Sequence, residues 1–138
     1  NAEKELSFFS KKNCNAGSIM VFLGKVRPTS NDKTIQSIDI EYYKKMALIQ
    51  IEKIIEQLKT KLIFEDYLIL HRYGNLVPGE NIVLVLVASE HRKDSYIFIE
   101  TLVDWLKIKI TFWKKENFEN KSHWVEQSQE DKIKSEKL

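Results

Sequence analysis

Cysteine, proline and glycine are scarce in this chain of 138 residues, which has one cysteine, two prolines and four glycines. The lone Cys14 excludes an internal disulfide, and such cysteine usage is typical of proteins in a reducing compartment. The sequence also lacks the roughly 18 consecutive apolar residues of a membrane span and the pattern of a signal peptide. We therefore expect a cytoplasmic protein.

Neither sign of charge dominates, because 22 basic and 20 acidic residues leave a formal net charge of +2. This balance argues against a nucleic-acid or membrane partner, so any basic site must be local. The hydrophobic content of 43% is enough for a core. We predict one domain over residues 1–125 and a charged tail over 126–138, which has almost no apolar side chains.

Apolar periodicity switches between helical and strand-like along the chain. Spacings of three and four predict helices over 2–12 and 44–61, and a third helix that begins with Asp94 as N-cap and ends near Lys107. Apolar runs and alternation predict a buried strand over 18–26 and further strands around 38–42, 67–70 and 82–88. Polar or turn-forming segments at 27–34 and 74–80 read as loops. The mixture predicts an α+β fold, a mixed or antiparallel sheet packed with about three helices.

Basic residues stand at the ends of these elements rather than along their faces. They are Lys25 and Arg27, His91 and Arg92, Lys107, and Lys114 with Lys115. Lysine is a movable point charge whose pKa falls readily on burial, and arginine offers a fork suited to phosphate or carboxylate. The pattern predicts a pocket for a small ligand bearing phosphate or several oxyanions. The same residues are also common as solvated surface charges, and Lys107 would favour a helix C-terminus, so convergence in space has to decide.

Other candidates are weaker. His71 and Arg72 close a strand, where a structural role is favoured. Cys14 would carry sulfur as a persulfide only with a lowered thiol pKa. The three histidines and the cysteine show no metal-ligand spacing, and no phosphate-binding glycine fingerprint is present.

Six segments follow one another in a characteristic order. They read GSIMVFLGKVR at 17–27, EYYKKMA at 41–47, HRYG at 71–74, PGE at 78–80, SEHR at 89–92, and DWLKIKITFWKKE at 104–116 with Trp124-Val125 after it. Each is weak alone, but together they resemble the large, catalytic subunit of molybdopterin synthase over roughly residues 16–126. The chain departs from that family's usual pattern at Thr111, where proline is common, and at Ser95-Tyr96, where an Ala-Phe pair is common.

The resemblance implies an α/β-hammerhead-like fold and a sulfurtransferase of molybdenum cofactor biosynthesis. The family converts cyclic pyranopterin monophosphate into molybdopterin by inserting the two dithiolene sulfurs. Sulfur arrives as a thiocarboxylate on the Gly-Gly tail of a small ubiquitin-like partner subunit. Large subunits form a homodimer with one small subunit at each end, a heterotetramer, and no metal or organic cofactor is needed.

The resemblance also implies roles for the basic residues. Lys107 would engage the thiocarboxylate in acid–base or transient acyl chemistry, and Lys114 would orient the pterin or stabilise developing charge. Both would also contact the substrate, and the remaining substrate-binding positions are Lys25, Val26, Arg27, His91, Arg92, Lys115 and Glu116.

Two alternatives remain at this stage. Aromatic residues interleaved with lysines at 105–115 are also compatible with a non-catalytic module that binds an anionic protein tail or nucleic acid. A family member that keeps the fold but has lost activity through the altered loop at Thr111 is the other.

Overall fold

The computed structural model describes residues 1–108, 112–118 and 122–124. Within them lie three helices, α1 (Ala2–Lys12), α2 (Lys44–Lys61) and α3 (Arg92–Ile108). The strands are β1 (Ser18–Lys25), β2 (Thr29–Ser30), β3 (Lys33–Thr34), β4 (Ser37–Tyr42), β5 (Asp66–His71), β6 (Gly74–Leu76), β7 (Asn81–Ser89), β8 (Phe112–Asn117) and β9 (Ser122–Trp124). The α+β class with antiparallel strands and three helices is confirmed. No described helix has both the length and the apolar character that crossing a membrane requires.

The first sheet has the antiparallel order β1-β7-β5. Its central strand β7 is an apolar run whose residues 84–88 are all buried, because helices cover both faces of the sheet. On one face α2 and α3 pack through Ile54, Phe98 and Leu102. On the other face α1 inserts Phe9.

The second sheet has the order β6-β4-β8-β9. Alternation along β4 sends Ile38 and Ile40 to one face, where they are buried. That face shares a separate core with Val26, Ile35, Leu76 and Phe118. This second core matters for function because β8, which carries Lys114, pairs directly with β4.

Several predicted details were wrong. Strand β1 is not buried as predicted: Met20 and Phe22 pack toward α2 and α3, whereas Val21 and Leu23, on the opposite face, remain 42% and 39% exposed. The third helix already begins at Arg92, which places Asp94 in the first turn and not at the N-cap.

The two segments predicted as loops contain short strands. Segment 27–34 includes the β2–β3 hairpin, whose turn residues Asn31 and Asp32 both have positive φ, 51° and 65°. Segment 74–80 begins with β6, which pairs with β4. The predicted charged tail over 126–138 and Thr111 lie outside the described residues.

A polar ladder covers the outer face of the second sheet. Asp39 accepts hydrogen bonds from Asn117 Nδ2 at 2.8 Å and from Asn75 Nδ2 at 2.9 Å, and both amides also donate to Ser37 Oγ at 3.1 Å. The bond from Asn117, then that from Asn75, and the nearby charge of Lys115 hold the pKa of Asp39 below its usual value, against a smaller opposing effect of burial. The ladder ties β4 to strands on both of its sides.

We expect Asp39→Ala to lower the free energy of unfolding at pH 7 by at most about 1 kcal/mol, because the lost hydrogen bonds are partly exposed. Because the pKa of Asp39 is lower in the folded state, its carboxylate stabilises the fold at pH values above the unfolded-state pKa of about 3.9. This stabilisation is lost as the pH falls through the folded-state pKa. The difference between variant and wild type should therefore shrink toward pH 2 in urea titrations. Glu41→Ala, on the same face of β4, is the matched control; an equal loss at pH 7 and pH 2 would contradict the assignment.

Candidate active site

Strand β1 and helix α3 start side by side and run in the same direction. At their start Ser18 Oγ lies 3.1 Å from Ser95 Oγ. At the other end the chain after β1 is fixed where Val26 N donates to Glu80 O at 2.9 Å and Val26 O accepts from Gly79 N at 3.0 Å. The two elements therefore deliver Arg27 and Lys107 to the same end of the domain.

Strand β8 supplies the residues that face this end. Lys114 pairs with Ile40 of β4 and Glu116 pairs with Ile38, so both lie on the sheet face that carries the second core. Lys114 is half-buried, and Glu116 is only 2% exposed. An ammonium and a carboxylate thus occupy successive inward positions of one strand.

The charges of Arg27 and Lys107 act on Lys114. Burial lowers the pKa of Lys114, the Glu116 carboxylate opposes that change, and the positive charges of Arg27 and Lys107 lower the pKa of Lys114 further. Such charge effects require that the groups lie near one another. We call Arg27, Lys107, Lys114 and Glu116 the lysine cluster.

The lysine cluster suits an anionic ligand. Lys107 and Arg27 are exposed, whereas Lys114 lies deeper, so an anion can reach all three from solvent. An amine with a lowered pKa has a larger neutral fraction at physiological pH, and the neutral amine can accept a proton or act as a nucleophile.

Lys115 does not join the cluster. It alternates with Lys114 along β8 and pairs with Asp39, so it faces the polar ladder on the opposite side of the sheet. Within a single chain Lys115 and Lys114 therefore lie on opposite faces of β8, because neighbouring residues in a strand point to opposite faces. The role of Lys115 in substrate binding stays a prediction.

His91 and Arg92 also lie elsewhere within one chain. Both are exposed at the start of α3, whereas Lys107 is in its last turn. Fifteen residues at a helical rise of about 1.5 Å separate the α-carbons of Arg92 and Lys107 by about 22 Å. No small ligand reaches both ends of that helix in the same chain.

The remaining predicted residues are near the cluster in sequence. The Val26 side chain is 3% exposed and packs in the second core, so only its backbone can face a ligand. Lys25 is exposed and pairs with Asn81 of β7, directly after the shift in register between Gly24 and Lys25. Their place next to Arg27 keeps both as predictions.

His71 and Cys14 show no sign of chemistry. The Nδ1 atom of His71 lies 2.7 Å from Arg72 O, and burial lowers the pKa of its imidazole. Cys14 is exposed, with its Sγ 3.9 Å from Asn15 Oδ1. Among the residues that the structure describes, no group of three or more histidine, cysteine, aspartate or glutamate side chains could hold a metal ion.

Comparison with known proteins decides the family. The model of the MoaE protein family matches residues 2–109. The chain belongs to the MoaE family.

Two relatives of this MoaE-family chain are both named as molybdopterin synthase catalytic subunits. It is 36% identical over 116 residues to the molybdopterin synthase catalytic subunit of Haemophilus influenzae, which covers 84% of this chain and 77% of that protein. It is 32% identical over 123 residues to that of Haemophilus ducreyi, with 89% and 82% covered. The crystal structure of molybdopterin synthase from Staphylococcus aureus superposes with a TM-score of 0.78 at 31% identity, covering 83% of this chain and 84% of that one. The resemblance read from the sequence is confirmed.

The lysine cluster of this MoaE-family chain is testable by titration of Lys114 with isotope-labelled lysine and NMR. We expect a pKa below the ordinary 10.4. Arg27→Ala and Lys107→Ala should each raise it, because a repelling cation is lost, and Glu116→Gln should lower it further. Lys115→Ala, on the opposite face, is the control and should change it least. An unchanged pKa in both Arg27→Ala and Lys107→Ala would show that the cations do not converge.

Proposed function

We propose that this chain is the catalytic subunit of a molybdopterin synthase and transfers sulfur to cyclic pyranopterin monophosphate. The sulfur donor is the thiocarboxylate at the Gly-Gly terminus of a small ubiquitin-like partner subunit. The observation that carries the proposal is the lysine cluster, in which the charges of Arg27 and Lys107 act on the half-buried amine of Lys114. Membership of the MoaE family and the names of its relatives support the same reaction.

The two reactants explain why such a cluster is needed. The thiocarboxylate and the substrate phosphate are both anions, and bringing them together in water is opposed by their repulsion. Cations fixed in advance at one place lower that barrier without having to reorganise during the reaction. Arg27 offers a guanidinium fork for phosphate or pterin oxygens, and Lys107 and Lys114 offer movable charges.

The proposed sulfur transfer takes place in two steps. The thiocarboxylate sulfur attacks an oxygen-bearing carbon of the pterin substrate, so a C–S bond forms while the C–O bond at that carbon breaks and the oxygen leaves with the electron pair, where the cations stabilise its charge. The partner tail is then joined to the pterin through a thioester. Water then cleaves the acyl–sulfur bond, so the tail leaves as a carboxylate and the sulfur stays on the pterin. Lys107 holds the tail terminus, and Lys114, whose pKa is lowered, accepts the proton of the attacking water. A second thiocarboxylated tail supplies the second sulfur in the same way.

Lys107→Ala should abolish product formation while the fold and the binding of the partner subunit survive, because Lys107 is exposed at a helix end and supports no core. The measurement is molybdopterin formed from purified precursor and thiocarboxylated partner. Loss of one such charge typically costs about 3 kcal/mol of transition-state stabilisation, or more than a hundredfold in rate. Lys53→Ala, at an exposed lysine of α2, is the control. Near-normal turnover by Lys107→Ala would defeat the assignment.

His91 and Arg92 can contribute only if a second chain brings them. Since α3 holds them about 22 Å from Lys107 in one chain, the proposed site takes Arg27, Lys107 and Lys114 from one protomer and His91 and Arg92 from its partner. We therefore propose that the chain works as a homodimer, with one small subunit per large subunit. The symmetry of such a dimer gives two equivalent sites.

Mixing two inactive variants tests this arrangement. In a mixed dimer of Lys107→Ala with Arg92→Ala, one site carries both substitutions and the other carries neither, so one intact site should return. We expect activity to reappear when the variants are unfolded and refolded together, and not in either variant alone. No recovery in dimers shown to be mixed would place all these residues in the same chain.

The non-catalytic alternative has its own test. A nucleic-acid module would bind oligonucleotides with an affinity that falls steeply with salt. We expect no binding near physiological salt.

The proposal also includes a cytoplasmic location and one domain over residues 1–125 with a charged tail over 126–138. It assigns roles in the pocket to Lys25, Val26 and Glu116.

A further inference from the structure

Three serine hydroxyls form a chain where β1, β7 and α3 meet. Ser18 Oγ donates to Ser95 Oγ at 3.1 Å, Ser95 Oγ and Ser89 Oγ lie 2.6 Å apart, and Ser89 Oγ donates to His91 O at 2.6 Å. Ser89 and Ser95 are fully buried. They lie far from the lysine cluster, at the opposite end of α3.

The direction of this chain follows from counting protons. A serine hydroxyl has one proton to donate. Ser89 donates its only hydroxyl proton to His91 O, so Ser95 must be the donor in the short hydrogen bond between Ser89 and Ser95. Ser95 in turn accepts from Ser18. Every donor thus points the same way, toward the carbonyl of His91, and hydrogen bonds aligned in this way strengthen one another.

A second contact fixes the same turn from the other side. Gly17 N donates to Ser89 O at 3.0 Å. A Cβ at Gly17 would collide with the backbone carbonyl of Glu90, so the two chain segments are in direct contact. The turn from Ser89 to Arg92 is therefore held both by the hydroxyl chain and by a close backbone approach that only glycine permits.

We propose that in this chain, where Ser95 stands at a position that is commonly alanine in the family, Ser95 and Ser89 are positioning residues that fix the backbone from which His91 and Arg92 reach the substrate. This inference rests on the proposed function, because it gives His91 and Arg92 their substrate. The exposed side chains of His91 and Arg92 have no tight packing of their own, so their aim depends on the backbone beneath them. The residues that set this aim are buried and never touch the ligand.

The kinetic test uses three alanine variants of the dimer assayed with thiocarboxylated partner. Ser95→Ala and Ser89→Ala break the chain next to His91 and should raise the KM for the pterin precursor about fivefold, with kcat changed less than about twofold. Ser18→Ala is the matched control, since it leaves the bonds from Ser95 to His91 intact, and should change KM less than about twofold. Equal effects of all three variants, or an unchanged KM in Ser95→Ala, would overturn the proposal.

A double-mutant cycle separates positioning from general destabilisation. In an Arg92→Ala background Ser95→Ala should add little to KM, because the group that it positions is already missing. The same added factor in both backgrounds would show that Ser95 does not act through Arg92.

Hydrogen exchange provides a readout that needs no activity. We expect Ser95→Ala to speed amide exchange about tenfold at Gly17, whose N–H donates to Ser89 O, while the centre of β7 stays protected, and Ser18→Ala to leave it unchanged. Unchanged protection of the Gly17 amide in Ser95→Ala would overturn the inference. Wild-type protein that makes no product would instead count against the proposed function alone.

Discussion

Repulsion among Arg27, Lys107 and Lys114 is the constraint on which the rest of this structure depends. Burial is the largest cause of the lowered pKa of Lys114, and the like charges of Arg27 and Lys107 lower it further. The three cations are held by separate parts of the chain: Lys107 by α3, Lys114 by β8 and Arg27 by the segment that follows β1. Glu116, buried beside Lys114, offsets part of the repulsion. A bound anion would offset more of it, so the arrangement favours anion binding.

The scaffold explains how separate elements can hold such a site. The buried strand β7 pairs with β1 on one side, and α3 packs across the same sheet. Since β1 and α3 run in the same direction, their ends meet near β8 without any long loop having to find its position. Residues at the ends of rigid elements are placed more precisely than residues on free loops. The MoaE-family fold thereby brings an arginine, two lysines and a glutamate from distant parts of the sequence into one cluster.

The sequence predicted the bounds of the helices and strands better than the face of each element on which a side chain lies. Periodicity located α1 and α2 at their observed bounds and β7 within one residue at each end, because long apolar patterns report directly on burial. Lys107 and Lys114 were identified because a helix end and the next segment could be read from the same run. The sequence did not predict β8 as a strand, so it did not show that Lys114 and Lys115 lie on opposite faces of it.

Two other features needed three dimensions. The distance between His91 and Lys107 depends on α3 being one unbroken helix from Arg92 to Ile108, whereas their order in the sequence suggested a common pocket. The hydroxyl chain joins Ser18 to Ser89 and Ser95, and serine carries no hydrophobic signal that periodicity can detect. Both arise from tertiary packing, which no local pattern in one sequence reports.

The close contact at Gly17 limits which substitutions the gene can tolerate at this codon. Its missing side chain allows β1 to begin directly against the carbonyl of Glu90. Any missense codon at this position adds at least one carbon, and even alanine must push two backbones apart. Damage from such an allele would begin at the start of β1, far in the domain from Lys107, so a screen confined to active-site codons would overlook it.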